Sequence, residues 1–383
     1  MWFKRRVYLD SAAGIAGNPS SAHEEGRRAK EMLEEARREI ARLVEVQSDD
    51  VVFTSGATES NALAILGHVR ALRLLAGPDT AGRNNMHVLY LPSSHASIVE
   101  NTGLLAAEGV AVEPLPIKGY RVDTEALASM IRPETVLVSM DAVCGETGVV
   151  WNTREVGEVL KSARADSAGA RTLLHVDASQ VPFTEKIVRH HFGADMLTFD
   201  AAKVGAVRGV GALIAHRTIP LVPLYKGGGQ ERGLRPGTEV PENARAFAAA
   251  LGAAVNARDA FRASAESYRA RLLAAILASV PGAVVNEGRS QAPNILNLSL
   301  PGRDTDYLTA LLDEAGFAVS TRSACETDSE AGSRAVFALT GDTERARATL
   351  RVSWGPSVRS LDLDRFSRAL AQAVAFVDSN GPG

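Results

Sequence analysis

The sequence predicts an α/β protein: a large domain on a mainly parallel seven-stranded sheet, followed by a smaller α+β domain. Two observations predict it. Short apolar runs alternate with helix-patterned stretches between residues 51 and 215. The pattern then changes to one long Ala/Arg-rich helical stretch over 243–280, which reads as a connector. Alternation of this kind argues for strands buried between helices on both faces of a sheet.

The expected strands, in order, are 51–54, 87–91, 110–114, 136–140, 173–176, 196–199 and 210–215. Amphipathic stretches at 59–74, 97–108, 123–131, 153–163 and 181–191 are the expected helices. Residues 77–85 are rich in Gly, Asp, Arg and Asn and read as a surface loop. The helical stretch over 243–280 is broken once at most. Beyond it, strands are expected at 295–300, 317–320 and 349–353, with helices at 305–315 and 363–377. This gives a large domain over 17–245 and a small one formed by 1–16 and 246–383. No internal repeat is visible.

A chain of 383 residues exceeds one small core. With 45% hydrophobic and 23% charged residues, its composition is that of an ordinary soluble protein. A net charge of -3 gives no reason to expect nucleic acid or a membrane surface as partner. Two cysteines cannot build a disulfide framework, and the N-terminus has no apolar run after its basic residues. The expectation is a cytoplasmic protein with no metal site.

Chemistry-bearing residues gather at expected strand ends. Thr54-Ser55-Gly56-Ala57-Thr58-Glu59 links a strand to a helix; its small residues would let backbone N–H groups approach a phosphate. A plain turn with Thr58 as N-cap is the competing reading. His175-Val176-Asp177-Ala178-Ser179-Gln180 ends another strand, where ligands of open α/β sheets sit. Asp177 there could pair with a protonated pyridine nitrogen, or it could simply cap a helix. Lys203 follows the next expected strand and could form a Schiff base with an aldehyde cofactor. His95 also follows a strand and could stack on a ring and shuttle protons. Arg351 interrupts an apolar strand pattern; a carboxylate, from a substrate or from a salt bridge, would partner it. The Gly-rich run 227–239 offers the hydroxyl of Thr238. Cys325 sits among small and polar residues next to Arg322, a setting that favours an exposed thiolate nucleophile.

With these residues in place, the chain resembles cysteine desulfurases of the iron–sulphur-cluster assembly type, within the class V aminotransferase group of fold-type I pyridoxal phosphate enzymes. The resemblance runs from Tyr8-Leu9-Asp10 to the last helix. It is strongest at Gly17-Asn18-Pro19-Ser20-Ser21-Ala22-His23, at 53–59, at 175–180, at 227–239 and at Ser323-Ala324-Cys325. It implies that Lys203 carries the cofactor, Asp177 faces the pyridine nitrogen and Gln180 the phenolic oxygen, with His95 stacked on the ring. Ala57 and Thr58 would hold the phosphate, helped by Thr238 from the partner subunit of a homodimer. Arg351 would bind the carboxylate of L-cysteine. Cys325 would take the sulfur as a persulfide, leaving L-alanine, for delivery to an acceptor protein.

Several positions depart from the family pattern. The run ending at the lysine usually reads Ser-x-His-Lys, with Ser and His binding phosphate; here Asp200 and Ala202 stand there. Gly145 replaces an asparagine before Glu146, Gly205-Ala206-Val207 replaces Tyr-Gly-Pro, and 11–16 is a shortened segment. A carboxylate facing a phosphate is a like-charge clash. Two other readings therefore stand beside the desulfurase: a related C–S or C–Se lyase acting on selenocysteine or another thiol amino acid, and a weakened paralogue that keeps the fold to bind partners.

Overall fold

A computed structural model describes residues 6–14, 17–77, 85–165, 171–205, 207–321 and 332–380. Seven strands form the main sheet: β1 (Val51–Thr54), β2 (His87–Tyr90), β3 (Ala111–Pro114), β4 (Thr135–Asp141), β5 (Leu173–Asp177), β6 (Met196–Asp200) and β7 (Gly211–Ala215). Their order is β1-β7-β6-β5-β4-β2-β3. Only β7 runs antiparallel to its neighbours, β1 and β6. Every residue of β4 and β5 is buried, as expected for strands covered on both faces.

Side chains alternate between two cores. Val51 and Phe53 join Leu33, Ile40 and Phe247 on one face, while Val52 joins Leu63, Ile65 and Leu105 on the other. Gly211 is needed at the start of β7: a Cβ there would lie 2.7 Å from the backbone of Gly56. The sheet thus seats the β1-to-helix turn directly on β7.

The helical stretch expected over 243–280 is a single unbroken helix, Pro241–Ser279, started by a proline in its first turn. One side of it covers the large sheet through Phe247 and Leu251; its later turns pack Leu272 and Ile276 into a third core. That core includes a three-stranded antiparallel sheet of β8 (Val284–Val285), β9 (Ile295–Ser299) and β10 (Thr349–Ser353), ordered β8-β9-β10. The helices Thr305–Glu314 and Ser360–Asn380 complete it. Among the described residues, no helix is long and apolar enough to cross a membrane.

Three expectations are corrected. The stretch 181–191 is helical only at Arg189–Phe192. A single turn forms at 181–185, and Arg262 of the long helix then takes the Thr184 carbonyl (2.7 Å) that a continuing helix would use. The stretch 59–74 is not one regular helix but Ala57–Ala62, a π turn at Leu63–Gly67, and His68–Leu75. The turn lies where Gly67 accepts a hydrogen bond from Val222 N (3.1 Å), and a Cβ on Gly67 would lie 2.8 Å from Val222 O. The stretch 317–320 is no strand; it touches β10 through one bridge, Ser320 to Arg351. The sequence reading also left out the helix Glu24–Val44, capped by the His23 ring accepting from Gly26 N. Asp10 holds that ring (3.0 Å) and Ser21 (2.8 Å), which gives the 17–23 run a structural role.

Candidate active site

Three neighbouring strands end in aspartates: Asp141 on β4, Asp177 on β5 and Asp200 on β6. All three line one cleft of about 290 Å³ at the C-terminal edge of the sheet. Ala57, Thr58, His95, Gln180, Lys203 and Arg351 line it too. Parallel strands deliver these residues to one edge because each crossover begins there.

Asp177 is buried and fixed from two sides. Its Oδ1 accepts from Ser179 N (2.9 Å) and its Oδ2 from Asn61 Nδ2 (2.7 Å). Asn61 spends its second amide hydrogen on Ser97 Oγ (2.8 Å). Ser97 in turn bonds His95 Nδ1 (2.8 Å), which also accepts from Ser97 N (3.2 Å). Nδ1 is thus the acceptor nitrogen, and the network assigns the imidazole proton to Nε2. One chain of polar contacts, Asp177–Asn61–Ser97–His95, sets the orientation of both candidate side chains. Asn61 and Ser97 were missed by sequence reasoning. Asn61 lies in a short helix that also carries Thr58, Glu59 and Ser60, so no local pattern singles it out. Below Asp177, His175 is clamped between Ser139 and Thr198, and burial lowers it to about 4, so it stays neutral.

Asp141 is a second buried carboxyl on the cleft floor. It accepts from Ser94 Oγ (3.0 Å), and burial, reinforced by the nearby charge of Asp177, pushes it up to about 7. Cys144 follows in the same loop, also buried; burial first, then Asp141 and Glu146, push its thiol up to about 12. That thiol stays protonated and packs.

The loop 144–148 ties the large sheet to the small core. Arg351 donates to Gly145 O (3.2 Å), Asn297 to Glu146 O (3.1 Å) and Gln291 to Thr147 O (2.5 Å), while Ser333 bonds the Glu146 carboxylate. Gly145 leaves room for Gln180, whose Nε2 would lie 3.0 Å from a Cβ at that position. Half-buried on β10, Arg351 therefore reaches the cleft from the other core.

At the far end of the cleft the turn after β1 meets β6. Ala57 N, expected to hold a phosphate, donates instead to Asp200 Oδ2 (3.0 Å), and Asp200 Oδ1 accepts from Ala202 N (2.8 Å). Lys203 stands exposed on the short turn Ala201–Val204 that Asp200 caps. Thr238 is exposed and does not line the cleft of its own chain. Cys325 lies outside the described residues, and only its described neighbours along the chain can be placed. Ser320 pairs with Arg351 before it, and Arg334 and Ala335 line the cleft after it.

Comparison with known proteins agrees with this architecture. The family "Aminotransferase class-V" matches residues 7–366. A cysteine desulfurase of Archaeoglobus fulgidus is 31% identical over 96% of this chain and 92% of its own length. A mitochondrial cysteine desulfurase of Arabidopsis thaliana is 32% identical over 91% of this chain and 74% of its own. Among solved structures, a NifS-like protein superposes with a TM-score of 0.84 at 27% identity, covering 94% of this chain and 92% of the other. DndA from Streptomyces lividans does so with a TM-score of 0.73 at 31% identity, covering 91% and 94%. A family match spanning all three cores, on a chain whose strand ends deliver Asp177 and Lys203 to one cleft, places this protein in the class-V aminotransferase family.

Proposed function

We propose that this protein is a cysteine desulfurase that converts L-cysteine to L-alanine and takes the sulfur onto Cys325 as a persulfide. The observation that carries the reading is the convergence of Asp177, Gln180, His95, Lys203 and Arg351 on one cleft, in a chain whose relatives are named cysteine desulfurases. A solved relative, SspA in complex with cysteine, supports the choice of substrate at 27% identity.

The residues present fit the pyridine and aldehyde ends of pyridoxal phosphate. Asp177 is an immobilised buried carboxylate suited to a protonated ring nitrogen, and Lys203 is an amine at the cleft lip suited to an aldehyde. When bound, the group supplies an electron sink for the substrate's α-carbon. Arg351 holds the substrate carboxylate; its guanidinium is already oriented by Gly145 O. His95 lines the cleft with Nδ1 engaged by Ser97, so its ring proton is carried on Nε2. Lys203 serves as proton carrier at the substrate carbon. The Cys325 thiolate forms an S–S bond as the substrate's C–S bond breaks. The electron pair of that bond stays with the substrate carbon, which is protonated to give alanine.

The same reading divides the chain into a large domain over 17–245 and a small one over 1–16 and 246–383. It makes the enzyme a cytoplasmic homodimer in which Thr238 serves the partner's cleft. It also sends the persulfide sulfur to an acceptor protein of iron–sulphur cluster or thio-cofactor biosynthesis. The test is direct. Borohydride reduction and peptide mapping should place a pyridoxyl group on Lys203. Alanine should form from cysteine, and Cys325→Ala should abolish the persulfide while the visible cofactor band persists. Label on another lysine, or a persulfide on Cys144, contradicts the assignment.

A further inference from the structure

The backbone N–H expected to hold a cofactor phosphate, Ala57 N, is already engaged by this chain's own carboxylate. Strand register fixes this. Asp200 of β6 pairs with Gly211 of β7, and Gly211 pairs with Thr54 at the end of β1. Asp200 is therefore in the same row as the turn that opens the helix Ala57–Ala62. The missing side chain of Gly211 lets Gly56 settle against β7, and the Asp200 carboxylate then meets Ala57 N at 3.0 Å. Its other oxygen takes Ala202 N at 2.8 Å. Glu59 turns back to accept from Ser55 N (2.5 Å), so a second donor of the same turn is also engaged internally. Ala202 adds no side-chain donor.

A phosphate dianion brought here would have to displace Asp200 from Ala57 N and then sit beside its charge. Like charges at that separation repel strongly where water is partly excluded. A neutral hydroxyl reverses the relation, because it donates to a carboxylate in a charge-assisted bond. Resting on the function proposed above, we infer that Asp200 is a specificity-determining residue that stands in for the phosphate. The cleft then selects a pyridoxal-class aldehyde with a neutral 5′-hydroxymethyl arm over the corresponding phosphate ester.

The test uses the full-length protein stripped with hydroxylamine and titrated separately with pyridoxal and with pyridoxal 5′-phosphate. Binding is read from the visible absorbance and from borohydride-fixed label on Lys203, not from turnover. Wild type should bind pyridoxal at least as tightly as the phosphate ester. Asp200→Asn keeps an oxygen for Ala57 N but removes the charge; it should tighten the phosphate ester by about tenfold or more and weaken pyridoxal by about threefold or more, because the hydroxyl loses its charge-assisted acceptor. Asp200→Ser, which removes the carboxylate altogether, should shift preference in the same direction if the Asn variant is unstable. A wild type that prefers the ester by tenfold, unchanged in either variant, overturns the inference while leaving the proposed function standing. Failure of both aldehydes to label Lys203 overturns the reading of the cleft, and this inference with it.

Discussion

Asp141 makes the stability of this protein fall as pH rises, and one substitution isolates the effect. Its carboxyl is buried on the cleft floor, and burial raises its pKa from 3.8 to about 7. The groups facing it are Ser94, which donates to it, the carboxylate of Asp177 and the guanidinium of Arg334. A carboxyl raised in the folded state binds its proton more tightly folded than unfolded. Its contribution is fully present below the unfolded value of 3.8 and is lost as pH rises through about 7. The difference between those two values corresponds to about 4 kcal/mol. Asp141→Asn keeps an acceptor for Ser94 and removes the ionisation. Urea unfolding of both proteins at pH 4.5 and pH 8 (roughly the two ends of this window) should show the variant gaining on wild type with pH. The expected gain is about 2–4 kcal/mol. A stability difference that stays flat with pH would refute the argument that Asp141 ionises at a cost inside the fold.

Two other outcomes follow from buried groups. Arg37 spans β1 and the Gly-rich loop: its Nη1 and Nη2 donate to Glu231 (2.8 and 2.6 Å), and Nη1 also donates to Val51 O (2.7 Å). Arg37→Met strands Glu231 in the interior and should cost about 3–5 kcal/mol in urea unfolding. Adding Glu231→Gln should recover part of that loss, whereas a cost below about 1 kcal/mol would place the pair in solvent. Cys144, raised to about 12 mainly by burial, should resist iodoacetamide at pH 8 (roughly the ordinary thiol range) in the native protein. Mass mapping should find the alkyl group on Cys325 alone, and rapid labelling of Cys144 would contradict its enclosed position.

Legibility followed physical locality. The inner sheet strands were readable because strands buried on both faces must be short apolar runs, and β4 and β5 are buried throughout, whereas the edge strand β3 has no buried residue. Their ends were readable as a site because topology alone carries Asp177 and Lys203 to one edge. The stretch 181–191 was misread because its helical pattern is real, yet Arg262, far along the chain, takes the carbonyl that would continue it. Asn61 escaped notice for the same reason: its value lies in two amide hydrogens aimed at Asp177 and Ser97, and no local pattern records that aim.

By itself, then, the sequence determined the alternation of strands and helices, the chemistry-bearing residue types and the family resemblance, since these depend on local order along the chain. Only the tertiary structure decided how Asp200 is used. In the sequence it is a carboxylate at a position where a phosphate-binding hydroxyl is usual, free to turn either way. The register of β6, β7 and β1 puts it beside the first N–H of a helix, and an unpaired backbone donor there draws the nearest anion. That partnership joins residues separated by most of the large sheet in sequence and by one hydrogen bond in space.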